Sequence, residues 1–107
     1  MEISKRDWKL YRDKIAEWQE NYMSCLNNEY IDLLSSDDKI ASEKFWELEK
    51  RIKNDRHHPG VIIEVSKSNV VFDIVRLIRH DVITNDDLAD FSDDLQQMVK
   101  MLLDRDR

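Results

Sequence analysis

Six aspartates fall within residues 81–99: Asp81, Asp86, Asp87, Asp90, Asp93 and Asp94, with no lysine or arginine among them. That stretch accounts for the whole formal charge of −6. Crowded carboxylates can bind a cation, share a proton, or present a negative surface to a basic partner. Asp86, Asp90 and Asp93 can share one helical face. Their spacing nevertheless lacks the glycine that a calcium loop needs at its sharp turn. No two of them stand out as the acid and base of glycoside hydrolysis, which needs a cleft and one shifted carboxyl. The functional reading is an acidic surface, with Asp86, Asp87, Asp90, Asp93 and Asp94 as expected contacts to a larger, basic protein. The plainer reading is two helix N-termini decorated with the acids that helix dipoles favour.

A second cluster is basic: Lys50, Arg51, Lys53, Arg56, His57 and His58. It could hold a phosphate or a nucleic-acid backbone, or simply complement the C-terminal dipole of a helix. The chain's net negative charge argues against duplex DNA as a partner. His57 and His58 are adjacent, so they cannot form a helical metal pair. Cys25 is the only cysteine and excludes both an internal disulfide and a two-cysteine zinc motif. No metal and no cofactor is expected. In the first helix Trp8, Tyr11 and Trp18 alternate with Lys5, Arg6, Lys9, Arg12 and Lys14. That pattern suits stacking on single-stranded nucleic acid, or a core stripe backed by a solvated charged face. The acids Asp7, Asp13, Glu17 and Glu20 favour the second. Catalysis meets a simple obstacle: Gly60 is the only glycine. Phosphate-cradling loops and nucleophile elbows each need several, so the chain is not expected to be an enzyme.

The elements that would position these residues follow from periodicity. Gly60 and Pro59 are the only glycine and proline, which leaves few of the tight turns that sheets require. The predicted fold is all-α in a single domain over 1–107. It is a compact bundle of four to five helices with a long first helix, plus one short strand read at 61–66. Trp8, Tyr11, Ile15, Trp18 and Tyr22 recur at helical spacing, with Ser4 as N-cap and an end near Leu34. Thirty helical residues extend about 45 Å, against a radius of gyration of about 13 Å for a compact domain of this size. The helix must therefore kink near Asn27 and Asn28, or project and find a partner. A second helix ends near Arg56, with Ala41, Phe45, Leu48 and Ile52 as its buried face and Trp46 widening it.

His57 to Gly60 punctuate the chain. The β-branched residues of 61–65 read as a strand, which has no partner in this chain, so it is either merely extended or pairs with its copy in a second subunit. Ser68 predicts the cap of a third helix over 69–80, apolar around most of its circumference. A homodimer through 61–78 is one consequence. Thr84 and Ser92 announce further helical starts, and Leu95, Met98 and Leu102 face inward. The longest apolar run is three residues, far below the ~20 of a bilayer span. No membrane association is expected. With no secretory leader and no cysteine pair, the expected location is the cytoplasm.

Four segments carry a resemblance: "DWKLYR" at 7–12, "EKFWELEKRIK" at 43–53, "DIVRLI" at 73–78 and "VITNDDLADFSDDL" at 82–95. Together they resemble a family of small proteins from gut-dwelling Gram-positive bacteria, often labelled multidrug transporters by automatic transfer. The hydropathy argument is incompatible with that label. The resemblance supplies no catalytic residues. Families of this kind travel on phages and other mobile elements, which implies a regulatory or anti-defence role. The resulting expectation is a non-enzymatic interaction protein, a small regulator or inhibitor of a larger protein, such as one that binds nucleic acid. An anti-CRISPR-like inhibitor, with acidic residues 85–95 filling a basic channel, is one form of it. The alternatives are a small-ligand or nucleic-acid binder using 50–58, and a structural homodimer.

Overall fold

The computed structural model describes residues 2–105. They form four α-helices: α1 (Lys5–Ser35), α2 (Ala41–Asp55), α3 (Val70–Arg79) and α4 (Asp93–Arg105). No strand occurs among the described residues. The chain is an all-helical bundle with a long first helix, as its single glycine and its apolar spacing require.

α1 starts where Ser4 caps it, the hydroxyl accepting from the Asp7 amide at 3.1 Å. No glycine or proline interrupts the next thirty residues, and the helix continues unbroken past Asn27 and Asn28. Of the two outcomes open to so long a helix, this chain takes the projecting one. Its first half enters the core through Tyr11, Ile15 and Trp18. Beyond Trp18 only Leu26 is buried. The second half runs antiparallel beside α2 as a two-helix arm. The arm stretches the molecule to 52 × 30 × 21 Å and its radius of gyration to 16.9 Å.

The body is built from α1's first half, α3, α4 and the connection between the last two. Val70, Val71, Ile74, Val75 and Leu77 of α3 meet Leu95 and Val99 of α4, with Ile83, Leu88 and Phe91 filling the end. Trp18 packs against both Tyr11 and Phe91, each at 6.2 Å between ring centroids. α3 gives way at Asp81, whose φ of 62° is a left-handed conformation that Asp tolerates better than most residues. A short 3-10 turn follows at Asn85–Leu88, closed by a capping box between Thr84 and Asp87. Ser92 then starts α4, its hydroxyl accepting from the Leu95 amide at 3.3 Å.

Two local expectations are corrected. Residues 61–66 form no strand. The amides of Val61 and Ile62 both bond to the His58 carbonyl in a turn, while Ile63 leans on the core. Most of the apolar circumference of α3 packs inside the chain against α1 and α4, and of the large apolar side chains in 61–78 Ile62, Val65 and Phe72 stay exposed. Ser68 caps nothing, because a 3-10 turn at Lys67–Asn69 leads into α3.

Asp7, one of the acids expected on the solvated charged face of α1, is instead 1% exposed. Its carboxylate accepts from the Ser92 amide at 3.0 Å and the Ser92 hydroxyl at 2.5 Å. This pair ties the start of α1 to the start of α4, 85 residues away. Such pairing offsets the cost of burying a carboxylate.

Candidate interaction surfaces

The arm joins the body at the Pro59-Gly60 turn. Both residues are buried. Gln19 of α1 donates to the Pro59 carbonyl at 3.1 Å. A Cβ on Gly60 would lie 2.3 Å from the Tyr22 ring. The only glycine is therefore needed for close approach of backbone to ring, and not for a positive φ. His58 stacks on Tyr22 at 4.5 Å and meets the His80 ring edge-on at 5.2 Å. Its Nδ1 accepts from the Gly60 amide at 3.0 Å, and its Nε2 lies 3.2 Å from the Tyr22 hydroxyl. An Nδ1 that accepts belongs to a neutral imidazole. Burial lowers the His58 pKa, the neighbouring His80 lowers it further, and Asp55 and Asp81 partly oppose both. Among the described residues no group of three or more metal-ligating side chains forms.

Along the arm the two helices touch through polar groups. Arg51 donates to Glu29 at 3.1 Å and lies 5.4 Å over the Tyr30 ring. The Tyr30 hydroxyl donates to Asp55 at 2.5 Å. Burial and this acceptor push the Tyr30 pKa up to about 12. Lys44 reaches the Leu34 carbonyl at 3.2 Å, and Lys39 pairs with Glu47. Lys44, Arg51 and Asp55 thus turn one side of α2 toward α1. At 100° per residue, Phe45 and Ile52 lie about a quarter turn away and Trp46 points outward.

This arrangement overturns the expected packing of the second helix. No residue of α2 is buried. Phe45 is 62% exposed, Trp46 64% and Ile52 46%. The apolar stripe read as a core face is a surface. It continues across the seam onto α1, where Met23, Leu26 and Tyr30 share a groove of about 390 Å³ with Ile52. Phe45, Leu48 and Ile52 line an adjoining groove of about 490 Å³, flanked by Glu49, Lys53 and Arg56. Ile31, Leu34 and Ile40 are also exposed toward the tip.

The five aspartates expected to contact a partner divide. Asp87 caps the 3-10 turn, accepting from the Thr84 amide at 2.8 Å. Asp90 pairs with Lys14 at 3.5 Å, and its backbone carbonyl accepts from Arg6 at 3.0 Å. Both therefore hold the body together. Asp86, Asp93 and Asp94 are exposed, and no ion pair to them is found among the described residues. Asp93 edges a wide groove with Arg79, Gln96 and Lys100.

The basic residues are dispersed. Arg51 is engaged by Glu29 and by Asp55 at 3.9 Å, and His58 by Tyr22 and Gly60. Lys53 and Arg56 flank the apolar groove, while Lys50 and His57 are exposed elsewhere. Residues 50, 51 and 53 spread around α2 and do not converge on one point. The aromatics of α1 are equally committed: Tyr11 and Trp18 are core, and Arg12 covers Trp8 at 5.0 Å. Among the described residues no helix is long and apolar enough to cross a membrane. No protein-family model, curated protein or solved structure matches the chain. The surfaces above must speak for themselves.

Proposed function

We propose that this protein is a non-enzymatic interaction module whose working surface is the apolar side of the α1–α2 arm. One observation carries the reading: α2 has an amphipathic sequence but no buried residue. A helix of 15 residues is marginal in water unless tertiary packing stabilises it. Contiguous exposed apolar side chains with a polar rim are the usual mark of a protein-binding site. Phe45 and Trp46, in edge-to-face contact at 4.9 Å, supply the aromatic anchors that dominate such interfaces.

The acidic body supports a second, compatible reading. Asp86, Asp93 and Asp94 carry charge that no ion pair among the described residues neutralises, which suits a basic surface on a larger protein. An inhibitor that occupies a nucleic-acid channel is the sharpest form of it. The two readings separate by mutation. Cross-linked partners of the tagged protein are compared by mass spectrometry for wild type, Phe45→Glu/Ile52→Glu, and Asp86→Asn/Asp93→Asn/Asp94→Asn. Loss of a stoichiometric partner in the first variant, with retention in the second, is expected. The reverse pattern would move the site to the acidic body.

A further inference from the structure

The junction between arm and body holds a device that does not depend on what the arm binds. We propose that His58 is a pH-operated latch: its neutral ring pins the Pro59-Gly60 turn against α1, and a proton on Nδ1 releases the turn and the base of α2.

His58 organises this turn through both its backbone and its ring. Its amide donates to the Asp55 carbonyl at 3.0 Å, and its carbonyl accepts from the amides of Val61 and Ile62, each at 2.9 Å. Its ring lies on Tyr22 of α1 with the two planes 5° apart. Nδ1 accepts from the Gly60 amide at 3.0 Å. Gly60 is buried, so water cannot replace that acceptor unless the turn opens. A protonated imidazole carries a hydrogen on both nitrogens and keeps no acceptor. No rotation of the ring can then satisfy Gly60, and two donors face each other instead. The turn gives way, and with it the close approach of the Gly60 backbone to the Tyr22 ring.

The charged groups around the ring act in both directions. At the end of α3, His80 meets the ring edge-on at 5.2 Å, and positive charge there repels a proton on His58. Asp55 of α2 and Asp81 attract one. Asp55 is already shared by the Tyr30 hydroxyl and Arg51, and Asp81 is exposed, where water and salt screen it. Tyr22 remains a neutral hydroxyl, because burial raises its pKa. Glu29 and Arg51 beyond it pair with each other at 3.1 Å. Burial is the largest influence on His58 and favours the neutral ring. The latch is therefore closed above the ordinary imidazole value of about 6.5 and is released as pH falls through the lower folded value.

Gly60 is the only glycine, so protein carrying isotope-labelled glycine reports the latch through one glycine amide signal in its NMR spectrum. As pH falls from about 7.5 to about 5, the hydrogen-exchange protection of this amide is expected to drop in step with the titration of the His58 ring. The amides of α3 are expected to stay protected over the same range. His58→Gln, whose side-chain oxygen accepts without titrating, is expected to keep Gly60 protected throughout. His80→Gln is expected to move the midpoint of the loss to higher pH. Gly60 protection unchanged through the His58 titration would overturn the latch, as would a loss that occurs only where α3 unfolds too, or one undiminished in His58→Gln. The wild-type titration decides the matter even if a variant fails to fold. No partner enters any of these readings, so the latch and the arm as working surface stand or fall separately.

Discussion

At the scale of single residues, two buried acids behave in opposite ways. Asp7 is fully paired by Ser92. Asp73, 7% exposed, has one carboxylate oxygen without a partner and only a 3.8 Å ion pair to Arg76 at the other. Burial raises the Asp73 pKa; Arg76 lowers it and Glu64 raises it. The nearby Tyr11 hydroxyl is buried without a partner too, and burial followed by the Asp73 charge raises its pKa.

The signs follow from linkage. A carboxyl with a raised folded pKa stabilises fully below its unfolded pKa of about 3.9, and that contribution is lost as pH rises through the folded value. Asp73→Asn is therefore expected to stabilise the protein by about 1 kcal/mol at neutral pH, the gain fading toward pH 4. His58 works the other way. Its lowered folded pKa gives stability that is present above about 6.5 and lost as pH falls toward the folded value. His58→Gln should flatten the loss of stability just below that point. Urea unfolding of the three proteins across acid to neutral pH checks both signs. An Asp73→Asn variant less stable than wild type at neutral pH would contradict the picture of an uncompensated buried charge.

At the scale of elements, most of the layout was legible in the chain. Ser4, Thr84 and Ser92 all cap where their types and positions predicted, because capping is decided within one turn. The ends of α1 and α2 were legible for the same local reason. What the sequence could not reveal was which amphipathic face meets a core. Ala41, Phe45, Leu48 and Ile52 have the same periodicity as Tyr11, Ile15 and Trp18, and periodicity records only that a face is apolar. The destination of that face depends on tertiary placement. α2 is held to α1 by Arg51, Tyr30, Lys44 and Asp55, through polar contacts that turn the stripe outward.

The environment of Asp7 escapes sequence reading for a related reason, since its partner Ser92 lies 85 residues away. The contrast between the two stripes can be measured. Leu95→Ala, in the body, is expected to cost about 2–5 kcal/mol. Phe45→Ala in dilute solution is expected to change stability by no more than about 0.5 kcal/mol. Thermal or denaturant unfolding of dilute samples distinguishes them, and a Phe45→Ala cost matching that of Leu95→Ala would mean that α2's stripe is core after all.

At the scale of the whole molecule, the chain divides its labour between a body that folds on its own core and an arm that does not bury its own apolar face. Asp87, Asp90, Arg6 and Lys14 consolidate the body. The Pro59-Gly60 turn, clamped by Gln19 and Tyr22, fixes where the arm leaves it. The long first helix is the beam common to both. Regions with few buried apolar contacts open at low free energy and exchange their amides quickly. On the proposed reading, the arm completes its packing only against a partner.

Amide hydrogen exchange on the full chain in dilute solution, read by mass spectrometry, tests this most directly. Residues 41–55 are expected to exchange fast there while α3 and α4 are protected. Protection of 41–55 equal to that of α3 in dilute solution would contradict it, since α2 would then already be packed within the monomer.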